Sequence, residues 1–328
     1  MRLSILDIKI SSVLFVTIMI LLLCCNSNKK SLNIAPTAEA YLIEIMSLLR
    51  EKSVNKNIID WDKFNTEVFR LASHSQTIEN TYPAIRFAVK ELKDNHSYFV
   101  AVNEGSISDL DKPLPILKDE ITPPDIAYIR LPFCIGNNEQ TDEYIQTIID
   151  RISLQNNNTI KGWIIDLRDN FGGNMWPMMV AIGCFLDHGI QGYFVDADNK
   201  AFEWRYEQGK AYLDTIMLAE TKQIISLCRR TKIAVLINNQ TASSGEAMAV
   251  LFKGYTNAKI FGGPTFGVST GCESYTLSDG SRINLATSVF ADRNKRKYGG
   301  AVYPDITCYE NETLANAIEW IYKYEYGN

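Results

Sequence analysis

Residues 232–250 read KIAVLINNQTASSGEAMAV. Ile233 to Ile237 form an apolar run with no polar alternation, the pattern of a strand buried on both faces. Thr241-Ala242-Ser243-Ser244-Gly245-Glu246 then interrupts the run, and Ala247, Met248 and Val250 resume as a helix. Residues 162–174, GWIIDLRDNFGGN, repeat the arrangement. A buried strand feeds Gly172-Gly173, and a helix follows from about Pro177 to Leu186. Strand, sharp turn and helix in succession mean a mostly parallel sheet with covered faces.

The same alternation extends outward. IAYIRLP (126–132) is a strand, and TDEYIQTIIDRI (141–152) is a helix with Tyr144, Ile148 and Ile152 four apart. AKIFGG (258–263) is a further strand. ESYTLSDGSRINLATSVFA (273–291) differs: two alternating runs flank Asp279-Gly280, the strongest hairpin signal in the chain. ETLANAIEWIYKYEYG closes the chain as an amphipathic helix. Residues 37–93 read as three helices. Asp60 caps the second, which carries Trp61, Phe64, Val68 and Leu71, and Tyr82-Pro83 opens the third, with Ile85, Val89 and Leu92 inward. Four prolines mark the irregular stretch from Ser97 to Pro124. The organisation expected is a helical cap subdomain over 37–97 and an α/β core over 98–328.

The 328 residues are 46% hydrophobic and 22% charged, which is globular composition. A formal charge of -5 disfavours nucleic acid as a partner. Seven cysteines are too few for a disulfide-stapled scaffold. Three histidines, His74, His96 and His188, give no His-rich metal site, and no metal or cofactor is expected. Arg2 and Lys9 precede the apolar run Val13–Leu23, which is short for a membrane span and fits the core of a secretory signal. It ends LLLCCNSNKK, as a bacterial lipoprotein signal does, with Cys25 the lipidated residue. Cleavage one residue away, or retention of the segment as an anchor, are the other readings. Residues 1–25 are thus an address and 26–36 a tether, and the body is expected outside the inner membrane, on a periplasmic face or the cell surface. Cleavage and lipidation leave five cysteines, an odd number, so at least one stays unpaired.

Three segments carry candidate chemistry. Gly172 and Gly173 would let backbone N–H groups face a ligand, or simply make a tight turn. Ser243 on a sharp strand-to-helix turn would project its hydroxyl beside the next amide, at Ser244, unless the cluster is only a helix cap. His96, in ELKDNHSYF, stands between a helix end and a strand and titrates near neutrality, as a base for serine must. His74 reads as a surface residue at a helix end, and His188 as a helix C-terminal residue before Gly189.

Together, GWIIDLRDNFGG, INNQTASSGEAMA, FGGPTFGVSTG, LSDGSRINL and GGAVYPDI resemble, in order and spacing, the C-terminal processing (tail-specific) serine peptidases. The resemblance covers about 125–308, and IIDWDKF…LKDNHSYF extends it into the helices. GGNMWPM and SVFADR look closest to envelope-lipoprotein members. It implies a crotonase/Clp-protease-like core with an N-terminal helical cap and a C-terminal β-hairpin. Val268 stands where one branch of the family has a catalytic lysine. LKDNHSYF resembles the tricorn-core-like branch, which implies His96 as base and Ser243 as nucleophile. Gly172 and the Ser244 amide are the oxyanion donors implied, with Gly173 as the fallback. That branch orients its histidine with a carboxylate near the G-V-x-P-D segment, where this chain has Tyr298. Asp292 and Glu246 are the candidates left. Ser97–Pro124 is too short for the PDZ domain of many members.

The function expected is a serine peptidase, endopeptidase or tail-processing, in the bacterial envelope. Its partners would be a peptide or protein substrate and a lipid anchor, with oligomeric state open. The alternative is an inactive peptide- or ligand-binding lipoprotein on the same fold, and a third is hydrolysis of a non-peptide ester or amide.

Overall fold

The computed structural model describes residues 33–104 and 119–323. The expected signal segment, Cys25, most of the tether and the last five residues lie outside the described residues. In chain order, α1 (Pro36–Lys52), α2 (Trp61–Leu71) and α3 (Tyr82–Glu91) lead into the short strand β1 (Tyr98–Val100). Next come β2 (Ile126–Arg130), α4 (Asn138–Gln155), β3 (Gly162–Asp166) and α5 (Met175–Ala181). A meander follows: β4 (Gly189–Asp196), β5 (Ala201–Glu207), β6 (Lys210–Leu213) and β7 (Ile216–Glu220). The chain then forms β8 (Lys232–Ile237), α6 (Ser244–Phe252), β9 (Ala258–Gly262), β10 (Thr270–Thr276), β11 (Arg282–Asp292), β12 (Ile306–Thr307) and α7 (Thr313–Lys323).

Local chemistry sets these boundaries. Pro36 occupies the first turn of α1, where its missing N–H costs nothing. The Asp60 carboxylate accepts from the Lys63 N–H at 3.2 Å and starts α2. Asn137 and Gln140 exchange side-chain and backbone hydrogen bonds, both at 3.0 Å, across the first turn of α4.

The fold is mixed α/β, with two sheets. One is wholly parallel, in the order β12-β9-β8-β3-β2. Its inner strands β3 and β8 bury both faces. Trp163 and Ile165 of β3 join the main core with α4, α5 and α6, whereas Ile164 packs on the opposite face with Ala317 and Ile321 of α7. The second sheet is antiparallel, β1-β11-β4-β5-β6-β7, with β10 on the other edge of β11. Trp204 and Phe290 carry this sheet's face into the main core. The N-terminal helices pack with β1 and the hairpin, so that Leu42, Ile85 and Leu92 share a core with Phe99, Ile283 and Leu285.

The antiparallel sheet is larger than the Asp279-Gly280 hairpin suggests. The meander of β4–β7 has no counterpart in the sequence pattern, because its strands are short and partly exposed. In β5, AFEWRYE, Trp204 and Tyr206 are buried beside charged Glu203, Arg205 and Glu207.

Candidate active site

The turn between β8 and α6 holds Ser243 at φ 50°, ψ -118°, a left-handed backbone that non-glycine residues adopt only under constraint. The constraint is visible. The Ser243 N–H donates to Glu246 Oε2 at 2.9 Å, and the Ala242 N–H donates to the Asn170 carbonyl at 2.9 Å. Glu246 is fully buried and accepts three more hydrogen bonds. They come from Thr265 Oγ1 at 2.5 Å, Gly267 N at 3.1 Å and Val268 N at 3.0 Å. Burial pushes its carboxyl pKa up, against these hydrogen bonds, which favour the charged form. Glu246 therefore ties the serine turn to the loop entering β10.

Ser243, Ser244 and His96 line one cleft of about 850 Å³, together with Gly173, Phe171 and Thr270. The histidine arrives from the other side, on the link between α3 and β1. Asp94 shapes that link: its Oδ1 accepts from the N–H groups of His96 (2.8 Å) and Ser97 (2.7 Å), and its Oδ2 from Ser97 Oγ (2.7 Å). Ser97 Oγ in turn accepts from the Ala286 N–H, at 2.9 Å, on β11. The ring's Nδ1 lies 2.7 Å from Thr270 Oγ1. Thr270 is 2% exposed, so water does not compete for this contact. Nε2 has no hydrogen-bond partner among the described residues, and no hydrogen bond joins the ring to Ser243. Burial holds the His96 pKa below its ordinary value, opposed by the charge of Asp94 and by a hydrogen bond to the Thr270 backbone. The ring is consequently neutral at pH 7, the form in which it accepts a proton.

The residues of the expected oxyanion hole are distributed differently from expectation. The Gly172 N–H donates to Asn170 Oδ1 at 3.0 Å, so this donor is engaged. Gly172 serves instead by being small: a Cβ there would stand 2.8 Å from Ser243 Cβ. The N–H groups of Gly173 and Ser244 have no partner among the described residues, and both residues line the cleft. Gly173 has φ +100°, and a Cβ on it would lie 2.1 Å from the Cys134 carbonyl oxygen. Ser244 Oγ donates to the Gly173 carbonyl at 2.6 Å, which locks the two amide-bearing turns together.

Neither carboxylate considered for orienting His96 touches it. Asp292 accepts from the N–H groups of Asn294 and Arg296 and from Tyr298 Oη at 3.0 Å, closing a turn after β11. Glu246 is committed to the serine turn. Thr270, two residues after the Val268 that replaces the lysine, makes the contact instead. The sequence signal for it is slight: a hydroxyl pair, Ser269-Thr270, directly after that position. Asn170 is the other residue overlooked. Its amide donates to the carbonyls of Leu131 (3.0 Å) and Pro132 (3.1 Å), joining the ends of β2 and β3 to the serine turn. His74 and His188 are exposed and lie outside the cleft.

Known proteins resemble this chain in sequence and in fold. The chain is 26% identical over 294 residues to the nisin-resistance protein of Lactococcus lactis subsp. lactis, covering 88% of each chain. It is 26% identical over 191 residues to the carboxy-terminal processing protease CtpA of Bacillus subtilis, covering 57% of this chain and 37% of that one. It thus spans little more than a third of that processing protease. Among solved structures, a lipoprotein from Streptococcus agalactiae superposes with a TM-score of 0.71 at 23% identity, covering 88% of this chain and 98% of that one. The photosystem II D1 C-terminal processing protease superposes at 0.57 and 16% identity, covering 86% and 97%. Residues 125–308, more than half of the sequence and all of the parallel sheet, match peptidase family S41, and the chain belongs to that family.

Proposed function

We propose that this chain is a serine peptidase of the bacterial cell envelope, with Ser243 as nucleophile and His96 as general base. One observation carries the reading. A serine held at a left-handed φ on a helix N-terminus shares a cleft with a neutral histidine whose Nδ1 is pinned by a buried hydroxyl. With Nδ1–H donating to Thr270 Oγ1, the lone pair of Nε2 is left for the Ser243 proton. A bound peptide would fill the gap between the two walls and align them, since catalytic hydrogen bonds often tighten only around substrate.

In the reaction, Ser243 Oγ bonds to the scissile carbonyl carbon as its proton passes to His96 Nε2. The N–H groups of Gly173 and Ser244 stabilise the oxyanion. The imidazolium returns the proton to the leaving amine, and water, deprotonated by the same nitrogen, releases the acyl group from Ser243. Cys25 would carry the lipid that holds the enzyme at the membrane. No helix among the described residues is long and apolar enough to cross a membrane. The similarity to a protein solved as a lipoprotein supports this placement.

A fluorophosphonate probe tests the chemistry without a known substrate. One adduct on Ser243 is expected, lost in Ser243→Ala and in His96→Ala while the circular dichroism stays that of the parent. Labelling of Ser243→Ala at the parent rate would overturn the assignment. No adduct on a folded parent would favour the binding-protein reading.

A further inference from the structure

The cleft does not end at the candidate catalytic residues. Trp176, Phe194, Gly271 and Cys272 line both this cleft and a neighbouring cavity of about 630 Å³. The two are compartments of one groove. The second lies on the face of the antiparallel sheet that α5 covers only in part. Paired residues share a face, so Phe290, Phe194 and Phe202, joined across β11, β4 and β5, form a continuous aromatic floor. Leu213 of β6 extends the floor, paired with Trp204, which lies in the main core. Trp176 meets Phe194 edge-on, with centroids 6.3 Å apart, at the neck between the compartments. Gly271 forms the opposite side of the neck, where a Cβ would stand 2.7 Å from the Phe194 ring. The far wall is charged. Lys56 Nζ pairs with Asp198 at 2.6 Å, and the Asn57 amide donates to the Ala197 carbonyl at 2.7 Å, strapping the segment after α1 to the β4–β5 turn.

We propose that this second compartment is an extended substrate subsite, which takes a large apolar side chain of the peptide several residues from the scissile bond. The inference rests on the reading of Ser243 as nucleophile and adds to it where the rest of the chain goes. The groove crosses β10, β11, β4, β5 and β6. Four inter-strand spacings of about 4.8 Å make roughly 19 Å, the length of about five or six extended residues. Phe194, Phe202 and Leu213 are half-buried where they line this compartment, so an apolar side chain of the substrate that covers them is favoured. The occupant is a peptide because the compartment is continuous with the cleft that would hold the scissile bond. The charged wall closes the far end, so the preference is for an apolar residue inside the groove and polar residues beyond it.

The test is a randomised synthetic peptide library, long enough to fill the groove on both sides of a cleaved bond, digested by the protein and read by mass spectrometry. The expected result is enrichment of Leu, Phe, Ile or Met at a fixed place about three to six residues from the bond, on one side only. Phe202→Ala and Leu213→Glu should erase that enrichment. They should lower kcat/KM about tenfold for a long selected peptide, mainly through KM, while the fluorophosphonate still labels Ser243 at the parent rate. Labelling by so small a probe reports on the site and the fold but not on the groove. No preference beyond the residues flanking the bond, or an unchanged preference in both variants, overturns the inference while leaving the peptidase reading intact. If the parent cleaves nothing, the peptidase reading fails, and retention of the library on immobilised Ser243→Ala protein decides. Loss of apolar peptides on adding Phe202→Ala supports the subsite, and equal retention sinks it.

Discussion

Thr270→Val replaces a hydroxyl by a methyl group at a buried position and nearly conserves volume. It abolishes the 2.7 Å hydrogen bond between Thr270 Oγ1 and His96 Nδ1. On the proposed reading, Thr270 Oγ1 accepts from the ring protonated on Nδ1, the tautomer that leaves Nε2 for the serine proton. When Nε2 takes the serine proton, the ring becomes a cation and the same bond strengthens. A hydrogen bond to a charged group contributes about 1.5–3 kcal/mol. Taking about 2 kcal/mol as the part felt at the transition state, the fluorophosphonate labelling rate at pH 8 should fall about thirtyfold. The pH profile supplies a second readout. Burial already holds His96 below 6.5, so the labelling rate of the parent should decline only below that pH, as the base becomes protonated. Loss of the oxygen that stabilises the imidazolium should move the decline further toward acid. Thr270→Ser should recover most of both effects. If Thr270→Val reacts as fast as the parent and its acid limb does not move, Thr270 is not what positions the base.

Three further outcomes are expected from the hydrogen bonds and close approaches around the two turns. Glu246→Gln replaces one of the two oxygens that accept four hydrogen bonds, leaving two buried donors unmatched; about 3 kcal/mol of stability should be lost, lowering the calorimetric midpoint by roughly 5 °C. A midpoint within a degree or so of the parent would show that the carboxylate does not brace this turn. Gly172→Ala puts a methyl group against Ser243 Cβ at a residue with φ +121°, and should cut Ser243 labelling at least about a hundredfold; labelling at the parent rate would show that the serine turn tolerates displacement. Asp292→Asn, in contrast, should leave both the labelling rate and its pH profile as they are, because its carboxylate closes a turn away from the ring; an altered acid limb would reinstate it as the orienting residue.

The parallel core was legible because a strand buried on both faces must be apolar at every position, and GWIID and KIAVLI are nearly so. Ser243 and His96 stood out because each sits in polar residues where an apolar element stops. The partners of those two residues were hidden for a physical reason. Thr270 acts on a ring 174 positions earlier in the chain, and a threonine at a strand start looks the same whether or not it holds a histidine. The Gly172 donor was misjudged because glycine pairs are identical on paper, and only the Asn170 side chain decides which N–H stays open. The meander escaped because β5 to β7 bury few residues each, and with them went the aromatic floor that Phe194, Phe202 and Leu213 build.

The long strand β11 has a consequence for when the candidate site is assembled. It holds β10, with Thr270, on one edge, and β1, two residues beyond His96, on the other. The Ser97–Ala286 hydrogen bond that seats the histidine loop spans 189 positions. Such distant pairings form late, since the loop they close must be ordered first. A folding chain can therefore complete the β8–α6 turn while His96 is still unplaced. On the proposed reading of Ser243 and His96, the site is complete only once β11 has docked with β10 and β1.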